Sequence, residues 1–309
     1  MKVLVTGGAG FIGSHIVDAY LEAGWDVVVV DNLSTGTRTN LNARATFYNL
    51  DIRDPELGDL LARERPEVVN HHAAQSSVMV SITDPRLDAD VNILGTLHLV
   101  DACRRLGVRH IVYASTGGAL YGNPEQIPAG EDAPIRPLAP YGVSKYVGEH
   151  YLRVRSGSGM TWAVLRYSNV YGPRQDPFGE AGVVAIFARA MVEGRAPTIF
   201  GDGTQTRDFV YVGDVAQANL RAATVGTSGV ANIATGEETP VNEVYRALAA
   251  LTGFTAPPVH AAPREGEVYR IALDIARARH WLGWTPSTPL AEGLRRTTQW
   301  FRTIQEHPR

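Results

Sequence analysis

The sequence predicts an α/β protein built on a doubly wound parallel sheet, with a smaller, loop-rich C-terminal domain. Three observations carry this expectation. Short, wholly apolar runs alternate with amphipathic stretches, a glycine cluster follows the first apolar run, and the texture changes past Tyr171. Val3-Leu4-Val5 reads as a strand, the glycines after it as a tight turn, and Ile16 to Leu21 as a helix. Val27 to Val30 is a second strand, apolar on both faces, as a parallel strand covered by helices must be. The alternation continues through Val68-Val69-Asn70, a helix over 92–106, His110 to Ser115, a helix over 141–154, and Trp162 to Tyr167. Past Tyr171, Gly172-Pro173, Asp176 to Gly179 and Gly201-Asp202-Gly203 interrupt shorter apolar runs. Asp214 is expected to N-cap a further helix, and Val230 to Ile233 to rejoin the main sheet as a strand. The expected domains are therefore interleaved: 1–171 with about 206–236, and 172–205 with 237–309.

A chain of 309 residues, 44% hydrophobic and 20% charged, buries a large core without disulfides or metals. A net charge of -3 supplies no basic field, which argues against a nucleic-acid partner. Cys103, the single cysteine, excludes an internal disulfide and reads as a buried structural thiol. No apolar run approaches the ~20 residues of a membrane helix, and Met1 to Thr6 runs directly into the first strand, so a cytoplasmic protein is expected. His71 and His72, adjacent on a strand, point to opposite faces; they are read as structural or cofactor-lining, with no metal expected. Lys2 and Lys145 are the only lysines in a chain that otherwise uses arginine, which singles out Lys145.

The turn Thr6-Gly7-Gly8-Ala9-Gly10-Phe11-Ile12-Gly13 lies between a strand and a helix. Its three spaced glycines suit a tight turn (Gly7), a close approach to a pyrophosphate (Gly10) and close helix packing (Gly13), with the phosphates at the helix N-terminus. Asp31 ends the second strand, where a carboxylate accepts both ribose hydroxyls and repels a 2′-phosphate, which favours NAD over NADP.

With Asp31-Asn32-Leu33-Ser34-Thr35-Gly36 and Asp51-Ile52, this Rossmann-like turn resembles the cofactor signatures of the extended short-chain dehydrogenases, particularly the nucleotide-sugar epimerases. The resemblance covers essentially the whole chain. It implies that Asp51 and Ile52 lie against the adenine and that Ala73, Ala74, Asn92 and Tyr167 line the cofactor. Asn32, Ser34, Thr35, Gly36, Phe11 and Ile12 complete that set. One departure is Ser76, where many bacterial epimerases of this group carry a cofactor-contacting lysine, so cofactor retention is expected to be weaker.

Tyr141 and Lys145 stand four residues apart in a helical stretch, so their side chains share a face. A tyrosine serving as base near neutrality needs its pKa lowered from about 10 by roughly three units, and a neighbouring ammonium pushes that way. Ser115 and Thr116 end the strand just upstream, where ligands collect in open α/β sheets. The family triad is Ser or Thr, Tyr and Lys. Thr116, Tyr141 and Lys145 match it, with Ser115 the alternative hydroxyl because the turn that follows is one residue longer than the commonest version. Related dehydratases and decarboxylases carry an acidic residue after that hydroxyl, and here Gly117-Gly118 stand instead. The implied chemistry is reversible hydride transfer alone: C4 epimerisation of a UDP-sugar.

Three further segments, Tyr167 to Arg174, Arg207 to Val210 and Pro263 to Glu267, resemble the family's nucleotide-binding elements. By that resemblance Asn169, Arg207 and Arg264 meet the diphosphate, a role suited to the bidentate guanidinium. Glu267 meets the ribose, and Val183 with Thr198 to Phe200 forms the uracil pocket. Ile271 stands where a large aromatic residue excludes 2-acetamido sugars in some epimerases, so UDP-N-acetylglucosamine is an alternative substrate, as is UDP-glucuronate. A non-catalytic NAD-binding sensor would not need Tyr141 and Lys145. The resemblance also implies a homodimer formed through helices 92–106 and 141–154.

Overall fold

The computed structural model describes residues 1–157, 159–178, 182–263 and 268–306. Its central sheet has seven strands in the order 229–233, 161–167, 110–116, 68–71, 2–6, 26–31, 46–49. All pair in parallel. Val3 pairs with Val27 on one side and with Val68 on the other, so the chain winds outward from Lys2–Thr6 in both directions. The crevice where such a sheet binds ligands opens at the carboxyl end of that strand. Gly229–Ile233 rejoins the sheet beside Thr161–Tyr167, as its apolar run suggested.

Side-chain alternation divides the sheet into two buried faces. Val3, Val5, Val27, Val29, Val112 and Leu165 pack under helices Phe11–Glu22 and Val212–Ala222. Leu4, Val28, Val30, Ile111 and Val164 pack under Glu56–Glu64, Thr96–Arg105 and Pro140–Arg155. Burial on both faces is why the central strands Lys2–Thr6, Asp26–Asp31 and His110–Thr116 carry unbroken apolar runs. Cys103 is a buried thiol in the second layer. Past Tyr171 the loops connect three helices, Val183–Val192, Val241–Thr252 and Leu290–Glu306, around Phe187, Leu248, Leu294 and Phe301.

Two expectations need correction. The helix read over 92–106 begins with a wider π-helical turn, Asp90–Gly95, and becomes α-helical at Thr96–Arg105. Such a turn holds one residue more than an α turn, and hydrophobic period does not disclose it. Asp214 is not an N-cap: the helix starts at Val212 and its N-cap is Tyr211. Asp214 is buried in the first turn, where its carboxylate accepts from Ser287 N, Ser287 Oγ and Thr288 N. Three donors from a distant segment satisfy it better than its own helix end would. Among the described residues no helix is long and apolar enough to cross a membrane.

Candidate active site

The glycine turn is built as a cradle. Gly7 has φ +72°, and a Cβ there would stand 2.6 Å from Ala73 N. A Cβ on Gly13 would stand 2.1 Å from Gly7 O, so helix Phe11–Glu22 reaches its depth in the turn only with glycine at 13. Gly10 is the N-cap and offers no side-chain cap, and the first helical turn holds no acidic residue. The helix N–H groups are therefore left for an anion. Thr6 Oγ1 accepts from Ala73 N at 3.2 Å and fixes the neighbouring strand end; Ala74 follows, half-buried. Phe11 and Ile12 begin the helix as partly buried residues packed against the C-terminal core.

At the next strand end Asp31 is buried. Its Oδ2 accepts from Ala9 N at 3.0 Å and its Oδ1 from Leu33 N at 2.8 Å, so the carboxylate is aimed by the turn itself. A Cβ on Gly36 would stand 3.0 Å from Asp31 Oδ1, which keeps 36 small. Ser34 N donates to Asn32 Oδ1, and Asn32 Nδ2 donates to Asp51 Oδ2 at 2.7 Å. Ser34 and Thr35 are exposed, and Ile52, next to Asp51 in the chain, is buried. The Arg53 guanidinium, bonded to both Asp51 oxygens, holds that carboxyl well below the usual range. Cradle, open helix end and aimed carboxylates fit a dinucleotide.

Helix Pro140–Arg155 brings Tyr141 and Lys145 to the end of strand His110–Thr116. The contact is close: a Cβ on Gly142 would stand 2.7 Å from Ala119 O and from Pro137 Cβ. Thr116 caps the short helix Gly117–Leu120 and accepts from Ala119 N at 3.2 Å. Ser115 points the other way and donates to Glu149 Oε1 at 2.5 Å, inside the core. A side chain on Gly117 would meet Leu273 Cδ1 at 2.3 Å, so an acid at that position would displace a fully buried leucine.

Lys145 is 4% exposed, and its Nζ lies 4.5 Å from the centre of the Tyr113 ring. Burial lowers its ammonium to about 8, while the charges of Glu149 and Asp88 work to raise it. Asn92, carried inward on the π turn, accepts from Gln75 N at 2.9 Å, and its Nδ2 faces Asp88 Oδ1 and Ser144 Oγ at 3.0 and 3.1 Å. His71 lies between Thr6 Oγ1 and Thr96 Oγ1 on one face of the sheet. His72 meets Tyr167 OH on the other at 2.9 Å, and burial lowers its imidazole to about 3. Tyr167 thus spends its hydroxyl in the core, on His72 and on Asn219.

Close to the turn after Thr116, Asn169 N donates to Asp208 O at 2.9 Å, and Asn169 Oδ1 lies 3.7 Å from a Cβ built at Gly118. Arg207 Nη1 donates to Thr206 O at 2.8 Å. Val183 opens a helix, and Thr198–Phe200 pairs with Val259–Ala261. Ile271 is buried in the main core. Arg264 and Glu267 lie outside the described residues.

Four polar residues that organise this region are not singled out by the sequence. Arg53 clamps Asp51, and only its spacing of two hinted at that. Asp208 accepts from Thr235 N, Thr235 Oγ1, Gly236 N and Leu273 N, and burial raises its carboxyl. Glu149, on helix Pro140–Arg155, and Arg166 form a buried pair. An arginine inside an otherwise apolar strand was the available signal.

A family model described as the NAD dependent epimerase/dehydratase family matches residues 3–234. The chain belongs to that family. It is similar to the UDP-glucose 4-epimerase of Mycolicibacterium smegmatis, at 46% identity over 98% of this chain and 99% of the relative. Its fold is similar to that of the Thermotoga maritima UDP-glucose 4-epimerase solved with UDP-glucose, with TM-score 0.97 and 47% identity over 99% of this chain and 100% of that one. It is also similar to the Thermus thermophilus UDP-glucose 4-epimerase solved in complex with NAD, with TM-score 0.93 and 48% identity over 98% and 99% of the two chains.

Proposed function

We propose that the chain interconverts UDP-glucose and UDP-galactose by inverting C4 of the sugar, with NAD held in the cradle at residues 6–13. The observation that carries this reading is Tyr141 and Lys145, one helical turn apart on Pro140–Arg155, which packs on the turn after Thr116 where no acid or second base stands. When bound, NAD supplies the acceptor and donor of the C4 hydride. Tyr141 removes the proton from the sugar hydroxyl and later returns it. Lys145 favours the tyrosinate by its charge. Thr116 holds the sugar oxygen, because Ser115 Oγ is already committed to Glu149. Asn169 and Arg207, with Arg264, anchor the diphosphate, and Glu267 the ribose. Val183, Thr198 and Phe200 bound the uracil. With only the nucleotide gripped, the 4-keto sugar is free to turn and present its opposite face.

Purified protein given UDP-galactose and catalytic NAD is expected to form UDP-glucose, and Tyr141→Phe to lower turnover by about 10³-fold while NAD stays bound. An inactive wild type that still binds NAD rejects this substrate. Ile271, in place of a bulkier aromatic side chain, supports UDP-N-acetylglucosamine as a second substrate, tested in the same assay. The enzyme is also read as a cytoplasmic homodimer. Exposed Leu94, Val143 and Val154 on the helices 90–105 and 140–155 support the dimer.

A further inference from the structure

One turn beyond Lys145 on the catalytic helix stands Glu149, a carboxylate the proposed reaction does not use. It is almost wholly enclosed, with side-chain exposure of 2% against 5% for its partner Arg166. Arg166 Nε donates to Oε1 at 3.0 Å and Nη2 to Oε2 at 2.7 Å, a two-pronged grip. Ser115 Oγ adds a third bond to Oε1. The guanidinium is held in turn: its Nη1 donates to Tyr121 OH at 2.9 Å and to Glu131 O at 3.1 Å.

Burying such a pair costs desolvation that its attraction seldom recovers, so stability alone does not account for it. Its position does. Residues four apart on a helix are neighbours, and Glu149 therefore stands beside the Lys145 side chain. Yet both its oxygens are occupied by donors from strands 110–116 and 161–167, so it is not free to swing and capture the ammonium.

We propose that Glu149, immobilised by Arg166 and Ser115, is a positioning residue for the Tyr141–Lys145 pair: a fixed counter-charge that steadies the ammonium without drawing it out of the site. The other groups around Lys145 make a counter-charge necessary. Tyr141 stands on its own helix, Tyr113 faces it from strand 110–116, and His71, which ends strand 68–71, and His72 just after it lie close enough to feel its charge. None of these is an anion in its ordinary form. Burial works to deprotonate the ammonium, and of the two carboxylates that oppose this, Glu149 acts more strongly than Asp88. The inference rests on the epimerase reading for what the ammonium does, but not for its test.

Lys2 and Lys145 are the only lysines, so protein labelled with 13Cε-lysine gives two signals, assigned with Lys145→Met. Their shifts are followed against pH in wild type, Glu149→Gln and Arg166→Gln. The Lys145 midpoint is expected to fall by about one unit or more in Glu149→Gln, where the anion is lost and Arg166 is uncompensated. It is expected to rise in Arg166→Gln, where the anion is released. Opposite signs are not what a merely structural pair gives. A Glu149→Gln midpoint equal to wild type, or shifts of one sign in both variants, overturns the proposal. If either single variant fails to fold, Glu149→Gln/Arg166→Gln removes the anion that acts on Lys145 together with a cation that does not act on it directly, so the midpoint is still expected to fall, and one at or above the wild-type value overturns the proposal. Wild type inactive on UDP-sugars would strike the epimerase reading and leave this titration standing.

Discussion

Ser115 and Thr116 are adjacent hydroxyls at the end of one strand, and the strand's alternation gives them different work. Ser115 is turned into the core, where it donates to the Glu149 carboxylate, while Thr116 ends the strand and caps the turn packed under Tyr141's helix. Thr116→Ala is therefore expected to lower kcat by about 10²-fold with little change in thermal stability. Ser115→Ala is expected to do the reverse, costing about 1–3 kcal/mol of stability through a lost bond to a buried carboxylate, with a smaller kinetic effect. Steady-state kinetics and chemical denaturation on the two variants separate them, and exchanged phenotypes would reassign the hydroxyl. From residues alone both candidates stood open, because one extra residue in the turn hides which side chain faces the cleft. Likewise the partner of Glu149 lies seventeen residues away on a neighbouring strand, and no local spacing announces it.

The glycine turn shows the opposite case, an element legible almost entirely from sequence. Three glycines between an apolar strand and a helix require close backbone approaches, and the contacts at 7 and 13 are those approaches. Gly13→Ala, with its Cβ placed 2.1 Å from Gly7 O, is expected to cost roughly 1–3 kcal/mol and to weaken NAD retention. Thermal melting with and without added NAD reads both effects, and a variant that melts and binds like wild type would remove the packing argument. Parallel strands were legible for a similar reason: burial on both faces leaves no choice but apolar residues. Elements set by long-range partners were not. Thr46–Asn49 is an edge strand with the mixed sequence TFYN. The π turn at Asp90–Gly95 shares its residues with ordinary helices, and Asp214 answers to Ser287 and Thr288 rather than to its own helix.

For the molecule as a whole, helix Pro140–Arg155 faces two ways. Its inner face holds Lys145 and Glu149, while Val143 and Val154 are exposed at 48% and 70%, with Leu94 of the neighbouring π turn at 57%. A second copy covering these residues would brace that helix from outside. Sedimentation equilibrium is expected to return twice 33.5 kDa, and Val143→Glu to shift the population toward monomer. A wild-type monomer at working concentration would contradict the dimer and leave the chemistry untouched.

Under the proposed mechanism the hydrogen removed from C4 is the one returned to it, because Tyr141 would handle only the hydroxyl proton and Gly117 and Gly118 bring no acid or base to the carbon. The most direct test is to run the conversion of unlabelled UDP-galactose to UDP-glucose in D2O and inspect C4 of the product by proton NMR. The expected product carries its original hydrogen at C4 with no deuterium incorporated; deuterium at C4 would contradict hydride return and require a base acting on carbon.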